Sequence, residues 1–141
     1  MLLFDSYRRW TGESLPVASS SAGELAEQLF NAPFGLMSHD TNTDPLITYG
    51  NRTALDLWET DWAHFTGTPS RQTAEPGLRE ERARLLKEVS EQGFSSGYRG
   101  IRISFNGRRF EILQATVWNL LDDQGRMLGQ AAFIPSWKAI G

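Results

Sequence analysis

The sequence predicts an α+β fold built on a five-stranded antiparallel sheet. Two observations carry this prediction: residues 97–137 are rich in β-forming side chains, and a series of short amphipathic helical patterns precedes them. Within the β-rich region, Asn106-Gly107 separates two runs and indicates a hairpin, because a type I′ turn requires positive φ at both central residues. Gly125 marks a second turn. The sequence therefore predicts a meander of three strands, at residues 97–105, 108–121 and 126–137.

The predicted turns also fix a register for the meander. A two-residue turn at Asn106-Gly107 places Arg102 opposite Glu111, an opposite-charge cross-strand pair, and the next turn places Trp118 opposite Gly129. Both faces of the sheet are substantially apolar, so we expect both to be covered. The alternation assigns one face to Ile101, Ile103, Phe110, Ile112, Gln114, Thr116, Trp118, Met127, Ala131 and Phe133.

Helical patterns supply the covering elements. Apolar spacing predicts helices over residues 3–11, 22–31, 52–60 and 78–92, with short strands at 34–39 and 46–49. We divide the chain into an N-terminal helix and linker, residues 1–21, and a main domain, residues 22–141. We expect the central helices to pack on one sheet face, and the N-terminal helices to cover the other or to pair two chains. Charged residues of the 78–92 helix are interpreted as its solvated face.

Composition narrows the function classes. The 141 residues carry a net charge of −3 and no cysteine. The balance of charge gives no domain-wide basic field for nucleic acid, and no apolar run is long enough to span a membrane. The lack of cysteine excludes disulfides, thiolate metal sites and cysteine-adduct photochemistry, and it fits a cytoplasmic location.

Signatures of catalysis are weak. The chain has no Gly-rich phosphate loop, no His-Glu-x-x-His and no nucleophile elbow. His39 beside Asp40, and Asp61 three residues before His64, are the two candidate acid–base pairs, and geometry has to support either. No ligand spacing typical of a metal site is present. We therefore predict no catalytic and no metal residues, with a small cone-shaped α+β enzyme that uses His64 or His39 as the alternative.

Polar side chains on the predicted core face indicate a ligand site. Gln114 and Thr116 are in phase with Trp118 on a face that otherwise consists of core residues. A buried amide needs hydrogen-bond partners from backbone, water or a ligand. Two interpretations therefore remain open: the amide is hydrogen-bonded within the protein, or it is a polar anchor for a ligand in a small cavity. The predicted ligand-binding residues are Gln114, Thr116, Trp118, Trp58, His64 and Gln130. Asn51 is interpreted as a helix N-cap rather than a ligand contact.

Four separated stretches carry a family resemblance: residues 31–39, 49–55, 69–76, and 115–120 together with 129–132. With these stretches in this order, the chain resembles the MEKHLA domain family in its stand-alone bacterial form, although the six letters that name the family do not occur. The resemblance covers roughly residues 3–137. It implies a PAS-like fold and a sensing or ligand-binding role, and it supplies no catalytic mechanism.

The resemblance to PAS domains raises two cofactors. In haem-bearing PAS domains a histidine on the long helix commonly ligates iron, and the matching helix, residues 78–92, has no His, Cys or Met, which disfavours haem. Flavin bound without covalent chemistry is compatible with the sequence, with an apolar slot and amide partners from Trp58, Trp118, Gln114 and Gln130. The identity of any cofactor stays open.

The leading functional prediction is a non-catalytic sensory domain. It binds a small molecule or contacts a protein, and relays a signal to a partner signalling protein or a second copy of the chain. A pure dimerisation module with a completely filled core is a further alternative beside the small enzyme.

Overall fold

The structure, a computed structural model, describes residues 2–18 and 21–140 and has an antiparallel sheet at its centre. The strand order is β2-β1-β5-β4-β3, and β6 pairs with β4 outside this path. The strands are β1 (Gly35–His39), β2 (Ile47–Gly50), β3 (Phe94–Ile103), β4 (Arg109–Leu121), β5 (Met127–Ile134) and β6 (Ser136–Ile140).

Five α-helices cover this sheet within the described residues. They are α1 (Leu2–Thr11), α2 (Ala22–Phe30), α3 (Arg52–Leu57), α4 (Trp62–Phe65) and α5 (Arg79–Gln92). Two short 3-10 turns, Ser70–Thr73 and Pro76–Leu78, lead into α5. The predicted α+β class is confirmed, as are helices on both faces of the sheet.

The N-terminal helices cover one face. The ring of Tyr7 in α1 packs edge-on against Trp118, with ring centroids 5.0 Å apart. The Trp118 indole Nε1 donates to Ser6 Oγ at 3.0 Å, and Trp10 Nε1 donates to the Asn119 carbonyl at 2.8 Å. Helix α1 is therefore bound to β4 by both packing and hydrogen bonds. The division at residue 21 stays a prediction, and the Ser19–Ser20 part of the linker lies outside the described residues.

The central helices cover the other face. Trp58 and Phe65 are buried against Phe110 of β4, and the Trp58 and Phe110 rings meet at 5.1 Å. Val89 of α5 and Val117 of β4 belong to a second apolar cluster beside it. Between these two clusters lies the cavity described below.

The predicted turn between β3 and β4 is wrong by one residue. Ser104 N donates to Arg108 O at 2.8 Å, so the loop has three residues, and Gly107 takes the left-handed position with φ 88°. This turn type is the next most common hairpin connection after the two-residue loops. Arg102 consequently lies opposite Phe110 and is buried. The predicted Arg102–Glu111 pair does not form.

The predicted register between β4 and β5 is also displaced. Trp118 lies opposite Ala131 and not Gly129. The displacement is two residues over most of the pairing, which keeps each side chain on its face because the period of a strand is two.

A β-bulge at Gln114 is the main departure from the predicted faces. Gln114 has φ 51°, and β4 has one residue more than β3 between Ile112 and Ala115. The extra residue reverses the alternation beyond it. Gln114 is consequently exposed, whereas Thr116 and Trp118 face away from the cavity.

The sixth strand is an addition to the predicted sheet. The third predicted strand ran to Trp137, but the chain divides at Pro135, which has no backbone N–H to donate to a ladder. Beyond it, β6 pairs with the first half of β4, from Leu113↔Ser136 to Arg109↔Ile140. Among the described residues, no helix is long and apolar enough to cross a membrane.

Candidate functional site

A small internal cavity lies between the sheet and α5. Its volume is about 50 Å³. One part of the wall is apolar, and another part carries polar and cationic groups. The apolar wall includes Leu85, Ile112, Val117 and Ile134, and the polar wall includes His39, Ser70, Thr73, Arg82, Tyr98, Arg102 and Gln130.

A chain of hydrogen bonds joins the polar residues of this wall. Gln130 Nε2 donates to the Leu86 carbonyl at 2.9 Å, which fixes the amide orientation and makes Gln130 Oε1 an acceptor. His39 Nε2, 3.0 Å from that oxygen, therefore carries the proton. His39 Nδ1 accepts from Ser70 Oγ at 2.9 Å, and Ser70 Oγ accepts in turn from the Arg82 guanidinium. The network thus holds His39 neutral, as one defined tautomer.

Burial also disfavours the charged form of His39. Desolvation lowers the pKa of His39 below its ordinary value, and the nearby Arg82 guanidinium lowers it further. The hydrogen bond to Gln130 and the Asp40 carboxylate act in the opposite direction but more weakly than burial. His39 is therefore a neutral relay between Ser70 and Gln130 at physiological pH.

This lowered pKa predicts a loss of stability on mild acidification. The unfolded chain takes up a proton at His39 near the ordinary histidine pKa of 6.5, whereas the folded chain resists it, so the free energy of unfolding falls below about pH 7.5. We expect urea titrations at about pH 7.5, 6.5 and 5.5, above the carboxyl range, to show this slope.

The two histidines of the sequence provide their own control. His39→Asn removes the buried group, and the slope between these pH values should flatten. His64→Gln changes the exposed histidine instead, and its urea titrations at the same pH values are compared with those of His39→Asn. Equal slopes in the wild-type and His39→Asn proteins would show that His39 does not resist protonation.

Arginine side chains give the wall its positive charge. Arg82 is only 9% exposed, and burial followed by repulsion from Arg102 lowers the pKa of Arg82 to about 10. It remains protonated at neutral pH. Arg102 is 6% exposed; its guanidinium donates to the Tyr98 hydroxyl at 3.0 Å and to its own neighbour, the Ile101 carbonyl, at 2.9 Å. Two buried cations therefore face one small cavity.

The predicted site residues divide into three groups, of which two are buried. Trp58 and Gln130 line the cavity, and Trp58 Nε1 donates to the Thr73 carbonyl at 3.3 Å. Thr116 and Trp118 are buried on the opposite face of the sheet, toward α1, because of the bulge. The structure therefore brings only two of the six predicted residues together, and a binding role for any of them stays a prediction.

Two predicted residues lie on the surface. Gln114 is exposed at the bulge itself, so the expectation of a buried amide there was wrong. The His64 side chain is 81% exposed, and its Nδ1 lies 2.8 Å from Asp61 Oδ1, the oxygen that also caps α4. Neither residue lines the cavity.

Sequence reasoning missed the two arginines. Arg82 was assigned to a solvated helix face, yet it follows Leu78 by four residues and precedes Leu85 by three, which is the spacing of the buried stripe. That spacing is enough to predict from the sequence that Arg82 lies on the buried side of the helix. Arg102 had no such signal, because its face depended on the length of the turn at 105–107.

The flavin slot expected from the sequence does not form. Trp118 and Gln114 lie away from Trp58 and Gln130, and a cavity of about 50 Å³ is far below the roughly 300–1,000 Å³ of ordinary ligand pockets. An isoalloxazine ring does not fit these residues. The described residues also contain no group of three or more His, Cys, Asp or Glu side chains placed to hold a metal ion.

Solved structures of other proteins share this fold. A PAS domain from Colwellia psychrerythraea superposes with a TM-score of 0.70, at 16% identity, over 84% of this chain and 95% of that one. A light-oxygen-voltage domain studied with a flavin analogue superposes with a TM-score of 0.64, at 17% identity, over 84% of this chain and 85% of that one. The fold is therefore that of PAS domains.

Sequence comparison identifies the family within this class. The MEKHLA domain model matches residues 1–139. The homeobox-leucine zipper proteins ATHB-14 and ATHB-9 of Arabidopsis thaliana are 30% and 28% identical to the chain, each over 96% of it. The chain spans about one sixth of the length of these relatives, 16% and 17%. It belongs to the MEKHLA domain family.

Proposed function

We propose that this domain senses a small molecule in the cavity between the sheet and α5 and passes the signal to a partner protein. The cavity carries the proposal: it has an apolar part, a polar part and a fixed set of hydrogen-bonding groups, as ligand pockets have. Its presence also sets this core apart from that of a dimerisation module with a completely filled interior.

The output would pass through β4 to α1. Gln130, in the cavity wall, donates to Asn119 Oδ1 at 3.3 Å, and the Asn119 carbonyl accepts from Trp10 of α1 at 2.8 Å. A ligand that changes the position of Gln130 would therefore alter contacts on the opposite face of the sheet. A ligand shifts such an equilibrium only as far as it binds the two states differently. The receiver would be a second copy of the chain or a partner signalling protein.

No catalytic role is part of this proposal. His39 bonds Ser70 and Gln130 and has no carboxylate partner within hydrogen-bonding distance among the described residues. The His64–Asp61 pair lies on the exposed surface, and the hydrogen bonds between these two residues include no third side chain that could act as a nucleophile. Neither histidine therefore supports the small-enzyme alternative. We also propose a cytoplasmic domain without a nucleic-acid partner, since the net charge is −3.

A cavity-filling variant tests the ligand site. Ala132 lines the cavity, and Ala132→Leu should fill most of its volume. We expect ligand-observed NMR with small anionic, neutral and cationic molecules to find at least one that binds the wild-type chain and binds Ala132→Leu at least about tenfold more weakly.

Ala83→Leu is the matched control, because Ala83 is exposed on the outer side of α5. This variant should bind as the wild type does. If no molecule of any charge distinguishes the wild-type chain from Ala132→Leu, the cavity is not a ligand site and the proposed function fails.

A further inference from the structure

Arg82 has no anionic partner among the residues that the structure describes. Its guanidinium makes one side-chain hydrogen bond there, to the neutral Ser70 hydroxyl, and no ion pair. Buried charges in proteins are usually paired, because the desolvation of an isolated ion costs several kcal/mol. The unpaired position of Arg82 is therefore a feature that packing alone does not explain.

Arg102 adds a second cation at the same cavity. Its guanidinium lies 5.5 Å from the centre of the Tyr98 ring and donates to the Tyr98 hydroxyl. The Glu81 carboxylate reaches this group only through that hydroxyl, at 3.3 and 3.4 Å. Within the part of the chain that the structure describes, no Asp or Glu lines the cavity. The wall thus presents two positive charges and no negative one.

We propose that the cavity binds a small monocarboxylate, whose carboxylate accepts hydrogen bonds from Arg82 and whose short aliphatic tail lies against Leu85, Val117 and Ile134. The inference rests on the proposed ligand-binding function and names its ligand class. The planar guanidinium fork matches a carboxylate, which it can bind through two parallel N–H···O bonds. The anion would supply the charge that the protein itself does not place beside Arg82.

Cavity size and wall chemistry select among anions. One water occupies roughly 10–15 Å³ on this measure, so a cavity of about 50 Å³ admits about three to five non-hydrogen atoms. Phosphate and sulfate need polar partners on all sides, and most of this wall is apolar. A carboxylate with one or two further carbon atoms has four or five non-hydrogen atoms and satisfies both parts of the wall.

The test compares propionate with its neutral isostere propionamide. We expect amide shifts of cavity residues in ¹H–¹⁵N spectra of the full chain to titrate with sodium propionate and not with propionamide, at matched ionic strength set with sodium chloride. Formate, acetate and butyrate complete the series. A difference of at least about tenfold in Kd between propionate and propionamide is expected.

Arg82→Met identifies the group that binds the carboxylate. The substitution keeps an unbranched, flexible side chain, although a shorter one, and removes the guanidinium and its charge, so we expect propionate to bind at least about tenfold more weakly. The melting temperature without ligand should stay the same or rise, because a buried unpaired charge is lost. Arg84→Met, on the exposed side of the same helix, should leave propionate binding unchanged.

The possible outcomes distinguish a failure of the proposed ligand class from a failure of the proposed ligand site. Binding of propionamide as tight as propionate, unchanged binding in Arg82→Met, or no binding of any carboxylate in the series overturns the inference. Neutral or cationic molecules that still distinguish the wild-type chain from Ala132→Leu would then uphold the proposed function without this ligand class. If Arg82→Met does not fold, the propionate and propionamide titrations of the wild-type chain still decide the inference.

Discussion

Asn51→Ala should lower the free energy of unfolding by roughly 3–5 kcal/mol, because one fully buried side chain satisfies four backbone groups. Asn51 Oδ1 accepts from Ala54 N and Leu36 N, both at 3.0 Å. Its Nδ2 donates to the Leu29 and Phe34 carbonyls at 2.9 and 2.8 Å. This one amide therefore caps α3 and joins it to α2 and β1. The predicted N-cap is confirmed.

Urea denaturation measures this effect, and Asn31→Ala is the control. Asn31 is also an asparagine beside a helix end, but it is exposed, and among the described residues its side chain makes one hydrogen bond, to the Glu27 carbonyl. We expect Asn31→Ala to cost about 1 kcal/mol or less. A loss below about 1 kcal/mol in Asn51→Ala would show that water replaces the side chain at these four groups.

Gly129→Ala should destabilise the fold by about 3–5 kcal/mol, as the combined cost of steric overlap and backbone strain. A Cβ atom at this position would lie 1.9 Å from the His39 carbonyl oxygen, and Gly129 has φ 154°. The oxygen belongs to the β1 backbone, which pairs with β5 at His39↔Gln130. Relief of the overlap therefore requires the two strands to separate beside the cavity network.

Gly77→Ala is the matched control for this substitution. An added Cβ at Gly77 meets no atom within 4 Å, and its φ is not in the left-handed region. We expect Gly77→Ala to change the free energy of unfolding by less than about 1 kcal/mol, in the stabilising direction. Urea midpoints of Gly129→Ala and Gly77→Ala that agree within error would contradict the close approach of β1 and β5.

Much of the fold was predictable because strong local signals repeat along the chain. The helix at 78–92, the cap at Asn51 and the β-rich region at 97–137 each follow from periodicity or turn chemistry, and the structure confirms them. The exact turn at 105–107 was not predictable in the same way. Asn106-Gly107 fits both a two-residue and a three-residue loop, and cross-strand packing decides between them.

The cavity was harder to predict than the sheet. Its polar wall brings together His39, Ser70, Arg82 and Gln130. These residues come from four separate parts of the chain, so no local sequence pattern predicts the wall. The bulge at Gln114 then reversed the assignments of Thr116 and Trp118. A bulge needs only one residue in an unusual conformation, and glutamine is not a residue that signals one.

The bulge also determines how this strand should be aligned and compared among relatives. Up to Ile112 the even-numbered positions of β4 lie on the side of the sheet that carries the cavity, and from Ala115 onward the odd-numbered positions lie there. Substitutions that vary together in response to a change of ligand should therefore fall at 112, 115 and 117, and not at 112, 114 and 116. A comparison of this strand among relatives should therefore treat the residues before and after 114 as two segments, because the alternation of inward and outward positions differs between them.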